Sequence, residues 1–115
     1  MNPSAGRSGI LSLTIKDKHV LYAAYMSYVK NGGLFIPTNK SYRIGEEVFL
    51  LLNLMEESDK IPVAGKIVWI TPKGAQGNRA AGIGVQFSDQ NKAARSKIED
   101  YLAGMLESDR VTHTL

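Results

Sequence analysis

Apolar residues recur along the chain in short runs divided by polar or glycine-rich breaks. Ile10-Leu11-Ser12-Leu13-Thr14-Ile15 alternates and predicts a first strand. Lys16-Asp17-Lys18-His19 reads as a tight polar connection. Residues 20–29, rich in Tyr and Val, predict a long second strand. Asn31-Gly32-Gly33 breaks that run, because glycine accepts the positive φ that a tight reversal needs. Leu34-Phe35-Ile36 follows as a short strand stopped by Pro37. Residues 48–54 predict another, and residues 61–70 the next, with Val63, Gly65, Ile67 and Trp69 on one face. Pro72 to Ala81 has turn chemistry throughout and predicts a mobile loop. Gly82-Ile83-Gly84-Val85-Gln86-Phe87 is the last strand.

The period then changes. Ala94, Ile98, Tyr101, Leu102 and Met105 recur at helical spacing, with Lys92, Arg95, Lys97, Glu99 and Asp100 on other faces. Ser88 is the expected N-cap, and Asp89 suits the positive end of the helix dipole. Six strands at short, turn-rich intervals and one C-terminal helix predict a mainly β fold, a six-stranded antiparallel barrel flanked by that helix. The expected organisation is a flexible leader over 1–9, the barrel domain with its helix over 10–106, and a polar tail over 107–115.

A length of 115 residues suits one domain with a single core. The absence of cysteine removes disulfides, thiolate metal sites and cysteine nucleophiles. No run approaches a membrane span, and the polar N-terminus lacks the order of a secretory signal, so a cytoplasmic location is the simplest reading. The net charge of +3 is dispersed, with no run of three cations, which disfavours a nucleic-acid groove. His19, read in a hairpin, and His113, in the tail, share no carboxylate or serine, so no catalytic or metal site is expected. Glu46-Glu47 and Glu56-Glu57 with Asp59 read as solvated turns. Gly74-Ala75-Gln76-Gly77 lacks the lysine of a phosphate loop. Gly82 and Gly84 sit inside a strand, where glycine lets another element approach closely.

Three segments together resemble the PilZ domain family. Tyr28-Val29-Lys30-Asn31-Gly32-Gly33-Leu34-Phe35-Ile36 corresponds to the region of its Asp/Asn-x-Ser-x-x-Gly motif. Val63-Ala64-Gly65-Lys66-Ile67-Val68-Trp69 is similar to its Gly-x-Val-x-Trp strand, and residues 82–87 before a helix are similar to its closing strand. The resemblance implies a six-stranded barrel and a link to cyclic di-GMP. The ligand-binding members carry Arg-x-x-x-Arg ahead of the first strand, where this chain has Arg7 alone. Tyr28 and Lys30 stand at the Asp/Asn and Ser positions, and Gly33 is retained. Arginine answers both phosphate and guanine with its bidentate fork and stacking plane, so its loss predicts no binding of the dinucleotide and no cofactor. Short, degenerate members of this kind act in type IV pilus assembly. The resemblance therefore implies a non-enzymatic adaptor in pilus biogenesis and twitching motility. Its expected partners are the pilus assembly ATPase PilB and the EAL domain of FimX. The alternatives are a direct cyclic di-GMP receptor, with Arg79 supplying a fork, or a small-barrel nucleic-acid binder using Tyr22, Tyr28 and Lys30.

Read as a strand, residues 20–29 are apolar on both faces, and a barrel interior buries only one. The resemblance sets Tyr28 and Lys30 outward. By alternation Tyr22 and Met26 also face out, as does Phe35 in the next strand. Tyr22, Met26, Tyr28 and Phe35 are the expected partner-binding residues, since interfaces favour Tyr and Met and exposed apolar patches mark binding sites. Weak self-association would fit the same patch. The tail over 108–115 could add as a strand to a partner's sheet.

Overall fold

The computed structural model describes residues 10–72 and 81–114, the last ten of these by their backbone alone. Five strands form one sheet, β1 (Ile10–Ile15), β2 (Gly33–Pro37), β3 (Glu47–Leu54), β4 (Ile61–Thr71) and β5 (Gly82–Phe87), in the order β1-β3-β4-β5-β2. Period-two alternation builds it. Along β3, Val48, Leu50, Leu52 and Leu54 are buried, while Phe49, Leu51 and Asn53 face the other way. Leu34 and Ile36, Val63 and Ile67, and Ile83, Val85 and Phe87 join the same core, so the sheet curls as a half-barrel around them. β3, β4 and β5 form an antiparallel meander, β2 pairs antiparallel with β5, and β1 runs parallel to β3.

The expected sixth strand over residues 20–29 is instead the end of a helix followed by an isolated bridge at Tyr25 and a turn. Helix α1 spans Lys18–Ala24, and the segment taken for a polar connection is its cap. The Asp17 side chain accepts hydrogen bonds from His19 N at 2.6 Å and Val20 N at 3.2 Å. His19 thus lies in the first turn of a helix rather than in a hairpin. Seven residues are too few for an isolated helix. The cap contributes about 1 kcal/mol, and complete burial of Leu21 adds roughly 2 kcal/mol. Leu21 and Tyr25, four apart, are both buried, whereas Val20 is exposed. Apolar residues on both supposed faces are therefore the mark of a helical period. With α1 between β1 and β2, the sheet stays open, and no sixth strand closes it among the described residues.

The second helix, α2 (Lys92–Thr114), starts later than Ser88. Ser88 and Asn91 form a turn, with Asn91 N donating to Ser88 O at 3.1 Å. The Asn91 amide donates to Ala64 O at 2.8 Å, fixing the helix start to β4. Ala94, Ile98 and Leu102 are buried and Tyr101 half-buried, as the helical stripe predicts. The backbone of α2 runs on to Thr114, through the segment expected as a polar tail. Residues 105–114 contain good helix formers and no proline, and Gly104 alone is too weak a breaker to stop them.

Two glutamates hold α2 in place. Tyr25 OH donates to Glu99 Oε2 at 2.5 Å, and Arg95 Nε donates to the same oxygen at 3.2 Å. On another side of the helix, Lys97 Nζ and Tyr101 OH donate to Glu57 at 2.9 and 2.7 Å. These bonds from Tyr101 and Lys97 hold the Glu57 carboxyl below its usual range. Burial, then the bond to Glu99, pushes the Tyr25 phenol up to about 12.

The neutral Tyr25 phenol is thus favoured in the folded state. Its contribution is complete below pH 10 and is lost as pH rises through about 12. Tyr25→Phe is expected to cost about 1–2 kcal/mol at pH 8 and to lose less stability than the parent between pH 9 and 11.5, measured by urea midpoints. A Cβ on Gly104 meets nothing within 4 Å. Gly104→Ala is therefore expected to raise unfolding stability by roughly 0.5–1 kcal/mol, measured the same way.

Candidate partner-binding surface

The outer face of β5 carries two glycines where side chains would stand. A Cβ on Gly84 would lie 2.8 Å from Trp69 Cβ and 3.0 Å from Met26 Cε. One on Gly82 would strike the Phe35 ring and lie 2.6 Å from Ile36 O. The glycines thus admit close neighbours, as their place inside a strand predicts. They floor a trough filled by Phe35 from β2, Trp69 from β4 and Met26 from the segment after α1.

Trp69 reaches this face through a bulge. Ile67 pairs with Val85, but Trp69 pairs with Gly84, so Val68 is an extra residue in β4. Plain alternation puts Trp69 on the face of Val63 and Ile67, which is the core. The bulge reverses it, and Trp69 stands 50% exposed. Its indole N–H donates to the buried Thr71 hydroxyl at 2.8 Å, which fixes the ring.

The chain then crosses the same face. Asn31 and Gly32 both have positive φ, 69° and 80°, and make the reversal into β2. The Gln86 amide, two residues on from Gly84, donates to Lys30 O at 3.0 Å. Tyr28, in this turn, is 81% exposed. Gly33 is packed so closely that a Cβ would lie 2.5 Å from Val85 O, which explains a glycine at that motif position.

Beside the trough lies a cleft of about 680 Å³. Phe49 and Ala64 supply apolar wall, Lys30 and Lys66 two ammonium groups, and Glu47 and Asp89 two carboxylates. No arginine lines it among the described residues. The described residues of its lining offer point charges of both signs and no planar fork for phosphate or guanine.

The sequence-derived partner residues separate into different roles. Phe35 is half-buried and Met26 buried, and both border the glycine trough with Trp69. Tyr28 is the most exposed of them. Tyr22 belongs to α1, is half-buried and packs against the main core. Met26 lies outside that core, so its burial comes from the outer face. The residue missed by alternation is Trp69. A Trp in a strand that runs toward a glycine pair was the only available signal, and the bulge itself has no sequence mark. Arg7 and Arg79 lie outside the described residues.

Gly84→Ala is expected to keep the fold at a cost of about 1–3 kcal/mol while displacing the indole. The chain has one Trp, so a shift in its emission maximum reads this displacement directly. An unshifted spectrum would mean that Met26 alone gives way.

The family model of the PilZ domain matches residues 10–104, from the start of β1 into the well-packed half of α2. A search of curated proteins finds no match. PilZ domains are generally non-enzymatic binding or adaptor domains associated with cyclic di-GMP. With its fold and most of its length accounted for, the chain belongs to the PilZ domain family.

Proposed function

We propose that the chain is a cytoplasmic, non-enzymatic adaptor in type IV pilus biogenesis and twitching motility. It links a cyclic di-GMP-binding EAL regulator of the FimX kind to the pilus assembly ATPase PilB and does not hold the dinucleotide itself. The observation that carries this reading is Trp69, a half-exposed aromatic fixed by its bond to Thr71 on a glycine floor. An immobilised aromatic loses little conformational entropy on docking and makes a strong protein anchor. Tyr28 and Phe35 extend the surface around it, Met26 supports it from below, and Tyr22 packs α1 against the main core. The cleft supports the second half of the reading, because its two lysines are balanced by two carboxylates and no guanidinium is present among the described residues that line it. No helix of the described residues is long and apolar enough to cross a membrane.

Calorimetric titration tests the reading. Cyclic di-GMP is expected to give no heat with the isolated protein and to be bound once the EAL domain is present. Trp69→Ala is expected to weaken binding to one of the two protein partners by about tenfold or more, a loss of at least ~1.4 kcal/mol, with an unchanged circular dichroism spectrum. Tight binding of cyclic di-GMP by the isolated chain would make it a direct receptor. Full partner affinity in the Trp69→Ala variant would remove this face from the interface.

A further inference from the structure

The two edges of the sheet differ. At the β2 edge, Tyr25 bridges to Leu34, Met26 N donates to Gly33 O at 2.8 Å, and Pro37 has no N–H to offer. At the other edge, β1 has β3 as its one neighbour. Met55 N donates to Ile15 O at 2.7 Å, which directs the polar groups of Ile15 toward β3. In a parallel ladder, successive residues turn their N–H and C=O to opposite sides. The groups of Leu11 and Leu13 therefore also face β3, and those of Ile10, Ser12 and Thr14 face the open edge. No backbone hydrogen bond crosses that edge among the described residues.

Exposed edges are commonly protected by a charge, a proline or a bulge. The β1 strand, Ile-Leu-Ser-Leu-Thr-Ile, has no charge or proline, and its ladder is unbroken. Leu13 remains half-exposed between the buried Leu11 and Ile15. On the outer face Ile10 is 58% exposed opposite Phe49, itself exposed.

We propose that β1 pairs antiparallel with β1 of a second copy, about a two-fold axis through Ser12, and joins two half-barrels into one continuous sheet. The occupant follows from symmetry. With Ser12 opposite its mate, Ile10 falls opposite Thr14, and all three outward-facing residues exchange hydrogen bonds. The same register sets Leu13 beside Leu11 of the other copy on the inner face, covers the half-exposed leucine and turns no core residue outward. An uncharged strand meets its own copy without like-charge repulsion. Because β1 lies at the far end of the strand order from β5 and β2, the Trp69 surface stays free on each copy. The dimer therefore presents two partner surfaces and gains avidity toward any partner with repeated sites. This inference does not depend on which partner those surfaces bind.

The chain has no cysteine, so Ser12→Cys places a single thiol on the exposed outer face at the proposed axis. Directly opposed residues of such a pair lie about 5.5 Å apart at Cα, within disulfide reach. Mild oxidation is expected to cross-link S12C at least about tenfold faster than a Ser41→Cys control in an exposed loop, as effective concentration dictates. Sedimentation should show the parent in monomer–dimer exchange, S12K and S12E each monomeric, and their mixture dimeric again. Ser12 is exposed, so these variants leave the core intact. Equal cross-linking of the two cysteine variants, or a parent that stays monomeric up to its solubility limit, would overturn the proposal. So would a mixture of S12K and S12E that remains monomeric.

Discussion

The structure depends on a strand whose outer face is bare over Gly82 and Gly84. β5 sends Ile83, Val85 and Phe87 into the core and presents Gly82 and Gly84 outside. Neither glycine has room for a Cβ, so the outer layer sits against backbone. That close approach allows Phe35 from one neighbouring strand, Trp69 from the other and Met26 from a connecting segment to meet over a single strand. A Cβ at Gly82 would also lie 2.6 Å from Ile36 O, so the same bare face sets how closely β2 approaches. It is this outer surface that carries the proposed function.

The helices solve a different problem. A five-stranded half-barrel leaves its interior open between β1 and β2, and no further strand among the described residues closes it. Leu21 from α1 and Ala94, Ile98 and Leu102 from α2 enter that interior and complete the core. Each apolar contact is non-directional, so something polar has to set the angle of α2. The Glu99 cluster ties the helix to Tyr25, and the Glu57 cluster ties it to the turn between β3 and β4. Two points of attachment fix an orientation where one would leave a hinge. Both use a tyrosine hydroxyl and a cation on one carboxylate, so neither leaves a partly buried charge unpaired.

The proposal that this chain is no nucleotide receptor rests on the chemistry of the described part of the outer face. Recognition of a cyclic dinucleotide asks for planar cations that pair with phosphate and stack on guanine. The cleft beside Lys30 and Lys66 supplies flexible ammonium groups next to Glu47 and Asp89. The neighbouring trough offers a fixed indole and an exposed phenol, and these suit the surface of another protein better than an anion. The proposed division of labour follows from this contrast: the messenger is held elsewhere, and this domain is read by proteins.

Much of this was legible along the chain. Alternation located β1, β2, β3, β4 and β5, and the stripe Ala94, Ile98, Leu102 located the packed face of α2. Glycines inside a strand announced a close approach, and the spacing of the motifs pointed to the family. Two features were not legible, both because they depend on competition between segments. Residues 18–24 satisfy a strand pattern about as well as a helical one, and the choice falls to the Asp17 cap and the space for Leu21. Trp69 points outward through one unpaired residue, Val68, whose position is set by the register of β4 against β5. Composition and pattern alone established which residues are apolar enough to make a core and which chemistry is missing from the ligand motif. Which apolar residues are left exposed was settled in three dimensions, because a side chain's face depends on ladder register, and register is a property of two strands.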